Sequence, residues 1–128
     1  MKPEQIAGDS ESSQQKALFC QAARHYEVFP ELKWGMFAVP NGGKRDLKEA
    51  AKMKAEGVTA GVSDIMLLVA KGGFHGYCIE MKAPGKLKGE SQEQKDFGAA
   101  ARERGYKYDV FDNWIDAWSA IVDYLTME

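Results

Sequence analysis

The sequence contains few cysteines and no long apolar run, and each shortage excludes a class of protein. The two cysteines, Cys20 and Cys78, are too few for a disulfide-rich scaffold and lack the spacing of a metal site, which favours buried free thiols. No apolar stretch approaches the roughly 20 residues that a membrane-spanning helix needs. The polar, acidic N-terminus does not resemble a signal peptide. We therefore expect a cytoplasmic protein with no membrane partner.

The sequence also lacks a large excess of positive or negative charge. The formal net charge is −2, whereas nucleic-acid-binding domains are usually basic. The cations are clustered, however, in two short segments: Lys44, Arg45, Lys48, Lys52 and Lys54 in the first, and Lys82, Lys86 and Lys88 in the second. Clustered carboxylates of a metal site would lower the net charge without removing a basic rim. The composition therefore leaves nucleic-acid binding open.

The 128 residues, 45% of them hydrophobic, suffice for one domain with a hydrophobic core. We expect a flexible tail over residues 1–10 and a single domain over 11–128. Periodicity and turn signals predict the elements in the order α-β-α-β-β-α-β-α. The predicted helices cover 11–29, 44–56, 91–104 and 114–125, and the predicted strands cover 34–39, 62–70, 74–83 and 106–111. This order predicts an α/β sandwich with a central mixed β-sheet flanked by helices.

Strand alternation brings an acid and a base together on one face of the third predicted strand. Glu80 and Lys82 are two residues apart, so their side chains point the same way. Asp64 begins the preceding strand, which is otherwise apolar and predicted to be buried on both faces. A hairpin around Gly72-Gly73, symmetric about position 72.5, brings Asp64 close to residues 80 to 82.

Two interpretations of this cluster are open from the residues alone. Buried carboxylates are usually paired or bound to metal. Carboxylate oxygens suit Mg²⁺ or Mn²⁺, which can polarise a phosphoryl oxygen while a lysine orients the attacking water. The alternative is a structural ion pair of Lys82 with Asp64 or Glu80. Glu11 is similarly open: it shares the inward-facing stripe of the first helix, yet an acidic residue in a first turn also stabilises the helix dipole.

The spacing of these residues resembles a known family. Asp64, fifteen intervening residues and Glu80-Met81-Lys82 resemble the PD-(D/E)XK nuclease signature. More narrowly, the chain is similar to VRR-NUC domains, which occur alone in phages and fused in the Fanconi-associated nuclease. The matching segments follow the family's order along nearly the whole chain: Glu11 with Gln14 or Gln15, Pro40-Asn41-Gly42-Gly43-Lys44-Arg45, Gly57-Val58, Gly61-Val62-Ser63-Asp64, Glu80-Met81-Lys82-Ala83-Pro84 and Ser91-Gln92-Glu93-Gln94.

The resemblance implies a restriction-endonuclease-like fold and a role for each strand residue. Asp64 and Glu80 would bind the metal together with the backbone carbonyl of Met81, and Lys82 would position the hydrolytic water. The cofactor would be Mg²⁺, with Mn²⁺ as a substitute. For a phage-encoded protein, the cytoplasm would be that of the host.

The resemblance also implies roles for two helical residues. Glu11 would complete the acidic site or hold a second ion, and Gln94 would brace the site or touch the DNA backbone. The family usually has proline before the aspartate, where this chain has Ser63. That position shapes a turn and supplies no ligand, so we expect activity to persist.

Two basic loops are candidates for DNA contact. In the first, glycines allow backbone amides to approach a phosphate and two cations follow: Asn41, Gly42, Gly43, Lys44 and Arg45. In the second, Lys86 and Lys88 follow the strand that carries Glu80. The alternatives are an ordinary turn for the first loop and solvated lysines for the second.

The leading hypothesis is a Mg²⁺-dependent endodeoxyribonuclease that prefers branched DNA, as Holliday-junction resolvases do. A junction-cutting enzyme needs two sites, so we expect a homodimer, with the Trp34–Phe37 region and the second predicted helix as candidate surfaces. The alternatives are a non-catalytic DNA-binding or assembly protein that retains the nuclease fold, and a hydrolase of small phosphoesters.

Overall fold

A computed structural model describes residues 1–40 and 46–128, and the candidate loop 41–45 lies outside the described residues. The described helices are α1 (Pro3–Ile6), α2 (Glu11–Ala23), α3 (Leu32–Gly35), α4 (Leu47–Ala55), α5 (Gln92–Glu103) and α6 (Trp114–Leu125). The described strands are β1 (Met36–Ala38), β2 (Ile65–Leu67), β3 (Tyr77–Met81) and β4 (Lys107–Phe111). Among these residues, no helix is both long and apolar enough to span a membrane.

The strands form one mixed sheet in the order β1-β2-β3-β4. The first two pairings are antiparallel, whereas β3 and β4 run parallel. A parallel pair requires a crossover, and α5 provides it. The tight turn between β2 and β3 requires Gly72 and Gly73, both of which have positive φ. The predicted α/β fold with a central mixed sheet and flanking helices is confirmed.

Alternation of side chains along β3 gives the sheet two different faces. Tyr77, Ile79 and Met81 are fully buried on one face, where they join the hydrophobic core with Leu18 of α2 and Ile121 of α6. Burying side chains of this size stabilises the fold by about 1.5–3 kcal/mol each.

The other face of the sheet carries Glu80 and packs against α5. This helix can lie close to the sheet because Gly98 has no side chain: a Cβ there would lie 2.6 Å from the ring of Tyr108. Leu68, which follows β2, is 63% exposed, so the prediction that the second strand is buried on both faces is wrong. Because Gly98 permits this close approach of α5, the N-terminal turn of the helix lies over the C-terminal end of β3.

Several predicted elements are shorter in the structure. The first long helix ends at Ala23 rather than near residue 29. Beyond it, the N–H groups of His25 and Val28 donate to carbonyls three rather than four residues earlier, and Phe29 still packs against the core. The predicted strand 34–39 begins only at Met36, after α3. The last helix covers 114–125, as predicted.

The register of the β2–β3 hairpin differs by one residue from the predicted symmetric pairing. The turn is closed by a Lys71–Phe74 bridge, but Leu67 pairs with Tyr77, so β2's side of the hairpin contains one additional residue. Such an extra residue is a bulge. As a result Ile65 pairs with Ile79. One residue further along this register, Asp64 lies opposite Glu80 rather than Met81. The prediction that Asp64 lies near residues 80 to 82 is confirmed.

The N-terminal residues are packed on the domain. Within 1–10, where the sequence predicts a flexible tail, Pro3–Ile6 forms α1, and Pro3 is buried. Ser13 Oγ accepts a hydrogen bond from the Gly8 N–H at 2.9 Å. Side chains of α2 therefore hold the segment that precedes it.

Candidate metal centre

Three carboxylates from different elements meet at one end of the sheet. Glu11 is the first residue of α2, Asp64 immediately precedes β2 and Glu80 lies near the end of β3. One oxygen from each carboxylate lies within 4.8 Å of an oxygen from each of the others. The residues are far apart in the sequence, so this proximity is a product of the fold.

Asp64 is fixed by the backbone of the neighbouring strand. Its Oδ2 accepts a hydrogen bond from the Met81 N–H at 2.8 Å. The backbone pairing between β2 and β3 ends at Ile65 and Ile79, so the carboxylate of Asp64 replaces the backbone partner that Met81 would otherwise lack. This bond sets the position of Asp64 relative to β3.

Glu80 is 1% exposed and has two different oxygen environments. Its Oε2 accepts a hydrogen bond from Gln94 Nε2 at 2.8 Å and lies 3.4 Å from Lys82 Nζ. Its Oε1 is buried and has no hydrogen-bond partner among the described residues. Burial, followed by the charge of Asp64, raises the pKa of Glu80 to about 8, although Lys82 opposes the shift.

Gln94 joins the lysine, the buried glutamate and the start of α5. Its Oε1 accepts hydrogen bonds from Lys82 Nζ at 2.8 Å and from the Ser91 N–H at 2.9 Å. The Oγ of Ser91 in turn accepts from the Gln94 N–H at 3.2 Å, which completes a capping box. A glutamine suits this position because it must accept from a cation and donate to a carboxylate at the same time. The helix cap therefore also orients Lys82 and Glu80.

Glu11 occupies the first turn of a capped helix, where a negative charge is favourable. Partial burial and then the charge of Asp64 raise the pKa of its carboxyl, and Lys82 opposes the shift. Both interpretations of Glu11 that the sequence left open are thus compatible with its position: it lies at a helix N-terminus and beside the acidic cluster.

The donor set fits a hard divalent cation. Three carboxylates and one ammonium give a formal charge of −2 within a small volume. Every candidate ligand atom is oxygen, as Mg²⁺ and Mn²⁺ prefer. The unpartnered Oε1 of Glu80 is a buried acceptor in need of a positive partner. These three observations agree on the same class of ion.

The structure brings together five of the predicted site residues, and of the predicted DNA contacts it describes only Lys86 and Lys88. The five are Glu11, Asp64, Glu80, Lys82 and Gln94. Lys86 and Lys88 are exposed on the loop between β3 and α5.

The loop with the two lysines is tied to the end of β4. The Gly85 N–H donates a hydrogen bond to Asp112 Oδ2 at 3.1 Å. The other predicted contacts, Asn41 to Arg45, lie outside the described residues.

Sequence reasoning gave no role to one buried polar residue near the site. Gln14 is 6% exposed and both ends of its amide make hydrogen bonds. A signal was available, because Gln14 precedes Leu18 by four residues and so shares the inward stripe of the helix. A polar residue on such a stripe requires internal partners, but the sequence does not show which groups they are.

We expect Glu80→Gln to raise the free energy of unfolding of chelator-treated protein by about 1–3 kcal/mol at pH 8, because the change removes a buried charge one of whose oxygens has no hydrogen-bond partner among the described residues. The folded-state pKa of about 8 lies above the reference value of 4.5, so the folded protein holds the proton more tightly than the unfolded chain. The wild type therefore loses stability as the pH rises through this window, and the advantage of glutamine should grow with it.

Urea unfolding at several pH values measures this difference, with Glu103→Gln on the exposed end of α5 as the control. Saturating Mn²⁺ should reverse the order, because an ion that binds only the folded wild type stabilises it. If Glu80→Gln is less stable than the wild type in chelator at pH 8, the ionised carboxylate of Glu80 does not destabilise the folded protein, which would contradict this prediction.

Comparison with known proteins supports the fold. The chain matches no family model, and no curated protein matches it. A solved structure of a "VRR_NUC domain protein" superimposes with a TM-score of 0.76 and 23% sequence identity, covering 95% of this chain and 93% of that chain. The chain therefore has the fold of a VRR_NUC domain protein over almost its entire length.

Proposed function

We propose that this protein is a metal-dependent DNA endonuclease of the VRR-NUC family. The observation that carries the proposal is the convergence of Glu11, Asp64 and Glu80 beside Lys82 at one end of the sheet. A core of comparable stability requires no such cluster, since burying like charges together costs free energy. The shared fold and the order of the sequence motifs support the same conclusion.

The proposed ligands of the cation are Asp64, Glu80 and the backbone carbonyl of Met81. Glu11 completes the acidic site or holds a second ion. The expected cation is Mg²⁺, which Mn²⁺ can replace, and when bound it would supply Lewis-acid polarisation of the phosphodiester.

Lys82 is proposed to orient the attacking water and to stabilise the charge that develops on the phosphate. Its Nζ is held by Gln94 Oε1 at 2.8 Å and lies beside Glu80, so the ammonium group is positioned before substrate binds. Groups arranged in advance in this way avoid reorganisation during the reaction. Gln94 is thereby a positioning residue that acts through Lys82 and Glu80.

The proposed substrate is a long polyanion rather than a small phosphoester. Lys86 and Lys88 are exposed on the loop directly after β3 and form no ion pair with any described residue. They are available to contact phosphates that flank the scissile bond. Residues 41–45 are proposed as a second contact on the basis of sequence alone.

Branched DNA and a homodimer are the finer part of the proposal. The described part of a single chain carries one carboxylate cluster, so symmetric cuts in two strands require two chains. Among the described strands β1 lies at the edge of the sheet and is a candidate interface, because edge strands present unpaired backbone groups. Trp34, Phe37 and Leu68, near this edge, are 81%, 41% and 63% exposed. The second candidate surface, α4, has no buried residue.

The competing function is a non-catalytic DNA-binding or assembly protein with the same fold. That role does not require an intact set of carboxylates with a lysine. Here the set is complete, and Gln94 connects Lys82 to Glu80 through two hydrogen bonds of 2.8 Å. The complete set favours the enzyme.

Lys82→Met should retain DNA affinity within a few-fold but lower the cleavage rate by at least about 10²-fold, since the lost ammonium acts on the reacting groups. Fluorescence anisotropy without divalent cations measures binding, and cleavage of a labelled four-way junction, a flap and a plain duplex in Mg²⁺ measures turnover. Equal losses in binding and turnover would contradict this role. A wild type that binds these substrates without cutting any of them would favour the non-catalytic alternative.

Replacing Lys86 and Lys88 together with alanine should weaken DNA binding and reduce the slope of log affinity against log salt by up to about two, because each lysine is expected to neutralise one phosphate. Lys16→Ala, at an exposed position on α2, is the control. An unchanged salt slope in the double variant would show that these lysines are only solvated.

In light scattering at micromolar concentration, the wild type should have about twice the monomer mass. Trp34→Glu should favour the monomer because it places a charge at the proposed interface, whereas Ile115→Glu, at another exposed apolar position, should not. A monomer that cuts both strands of a junction symmetrically would overturn the dimer. A dimer that tolerates Trp34→Glu would exclude this surface.

A further inference from the structure

Gln14 bonds to backbone groups of two separate segments. Its Nε2 donates to the Gly8 carbonyl at 2.7 Å, and its Oε1 accepts from the Trp114 N–H at 2.8 Å. Trp114 is the first residue of α6, and an N–H at this position has no partner within its own helix. A single buried amide therefore bonds to backbone groups of two segments, and one of these groups, the Trp114 N–H, has no partner within its own helix.

These bonds connect α2, the helix that carries Glu11, to the strands. Gln14 lies one turn after Glu11 on α2. Trp114 lies three residues after Phe111, which pairs with Met81 and accepts a hydrogen bond from the Lys82 N–H at 2.8 Å. Few residues therefore separate Glu11 from the end of β3, and the side chain of Gln14 makes the contact between α2 and the start of α6.

The geometry points to Gln14 as a positioning residue that fixes Glu11 relative to Asp64 and Glu80. This inference rests on the proposed metal site. The Ser10 cap shapes the end of α2, but it does not fix where that end lies relative to the sheet. The Gln14–Trp114 bond ties that end to the start of α6, which directly follows β4. Supporting bonds of this kind matter because a metal site tolerates ligand displacements of only about 0.5 Å.

Glutamine is the side chain that this position requires. It must donate to a carbonyl and accept from an N–H, and an amide of this length does both. Glutamate would lack the donor, and methionine of similar length would lack both functions. A residue that served only to fill the core would instead be apolar, as Leu18 is four positions later.

The test is Mn²⁺ affinity by titration calorimetry on the full chain. Gln14→Met should weaken Mn²⁺ binding about tenfold, the lower end of the loss typical when a residue that orients a metal ligand is removed. In a Glu11→Gln background, the same change should cause little further loss, because the ligand that it positions is already gone. Gln15→Met, a change at the next position on the helix, is the control.

A backbone variant keeps the test valid if Gln14→Met folds poorly. Trp114→Pro and Trp114→Ala both remove the indole ring, but only proline removes the N–H that Gln14 accepts from. Proline is tolerated at the first position of a helix. We expect Trp114→Pro to bind Mn²⁺ several-fold more weakly than Trp114→Ala.

The outcomes separate this inference from the proposed function. A wild type that binds no Mn²⁺ would overturn the metal site and the inference together. If the wild type binds Mn²⁺ and Gln14→Met loses stability but no affinity, only the positioning role fails. Equal losses with and without Glu11 would overturn it as well, since they would show that Gln14 does not act through that carboxylate.

Discussion

The buried carboxylate of Glu80 is the constraint on which the site depends. Its side chain is 1% exposed, one oxygen lacks a partner among the described residues, and the carboxylate of Asp64 lies close by. An isolated charge in such a place would be very costly, so the surrounding residues are arranged to limit that cost. Lys82 supplies the opposite charge, and Gln94 supplies a donor.

The groups around Glu80 come from the ends of secondary-structure elements. Gln94 caps the start of α5 and at the same time bonds to Lys82. Asp64 replaces a backbone partner of Met81 where the β2–β3 ladder stops. Helix and strand ends carry unsatisfied backbone groups, and side chains that satisfy them are held rigidly. The site thus gains its order from the bonds that terminate the elements.

Apolar burial on the opposite face of the sheet offsets the free-energy cost of the charged cluster. Tyr77, Ile79 and Met81 alternate with the site residues along β3 and are fully buried against α2 and α6. A strand with one apolar face and one charged face can hold like charges together without unfolding, because the apolar face contributes several kcal/mol. Functional sites commonly concentrate such locally unfavourable features.

The sequence by itself determined the order of the strands and of the four longer helices, the alternation that places Glu80 beside Lys82 and the proximity of Asp64. These features follow from local periodicity and from one tight glycine turn. Only the tertiary structure decided the one-residue shift in the hairpin and the early end of the first helix. It also brings Glu11 to the strands, which local patterns left open and the family resemblance implied. The partners of Gln14 were also decided there, because Trp114 lies a hundred residues away. Hydrogen bonds between distant segments depend on how layers pack, and no local pattern encodes that distance.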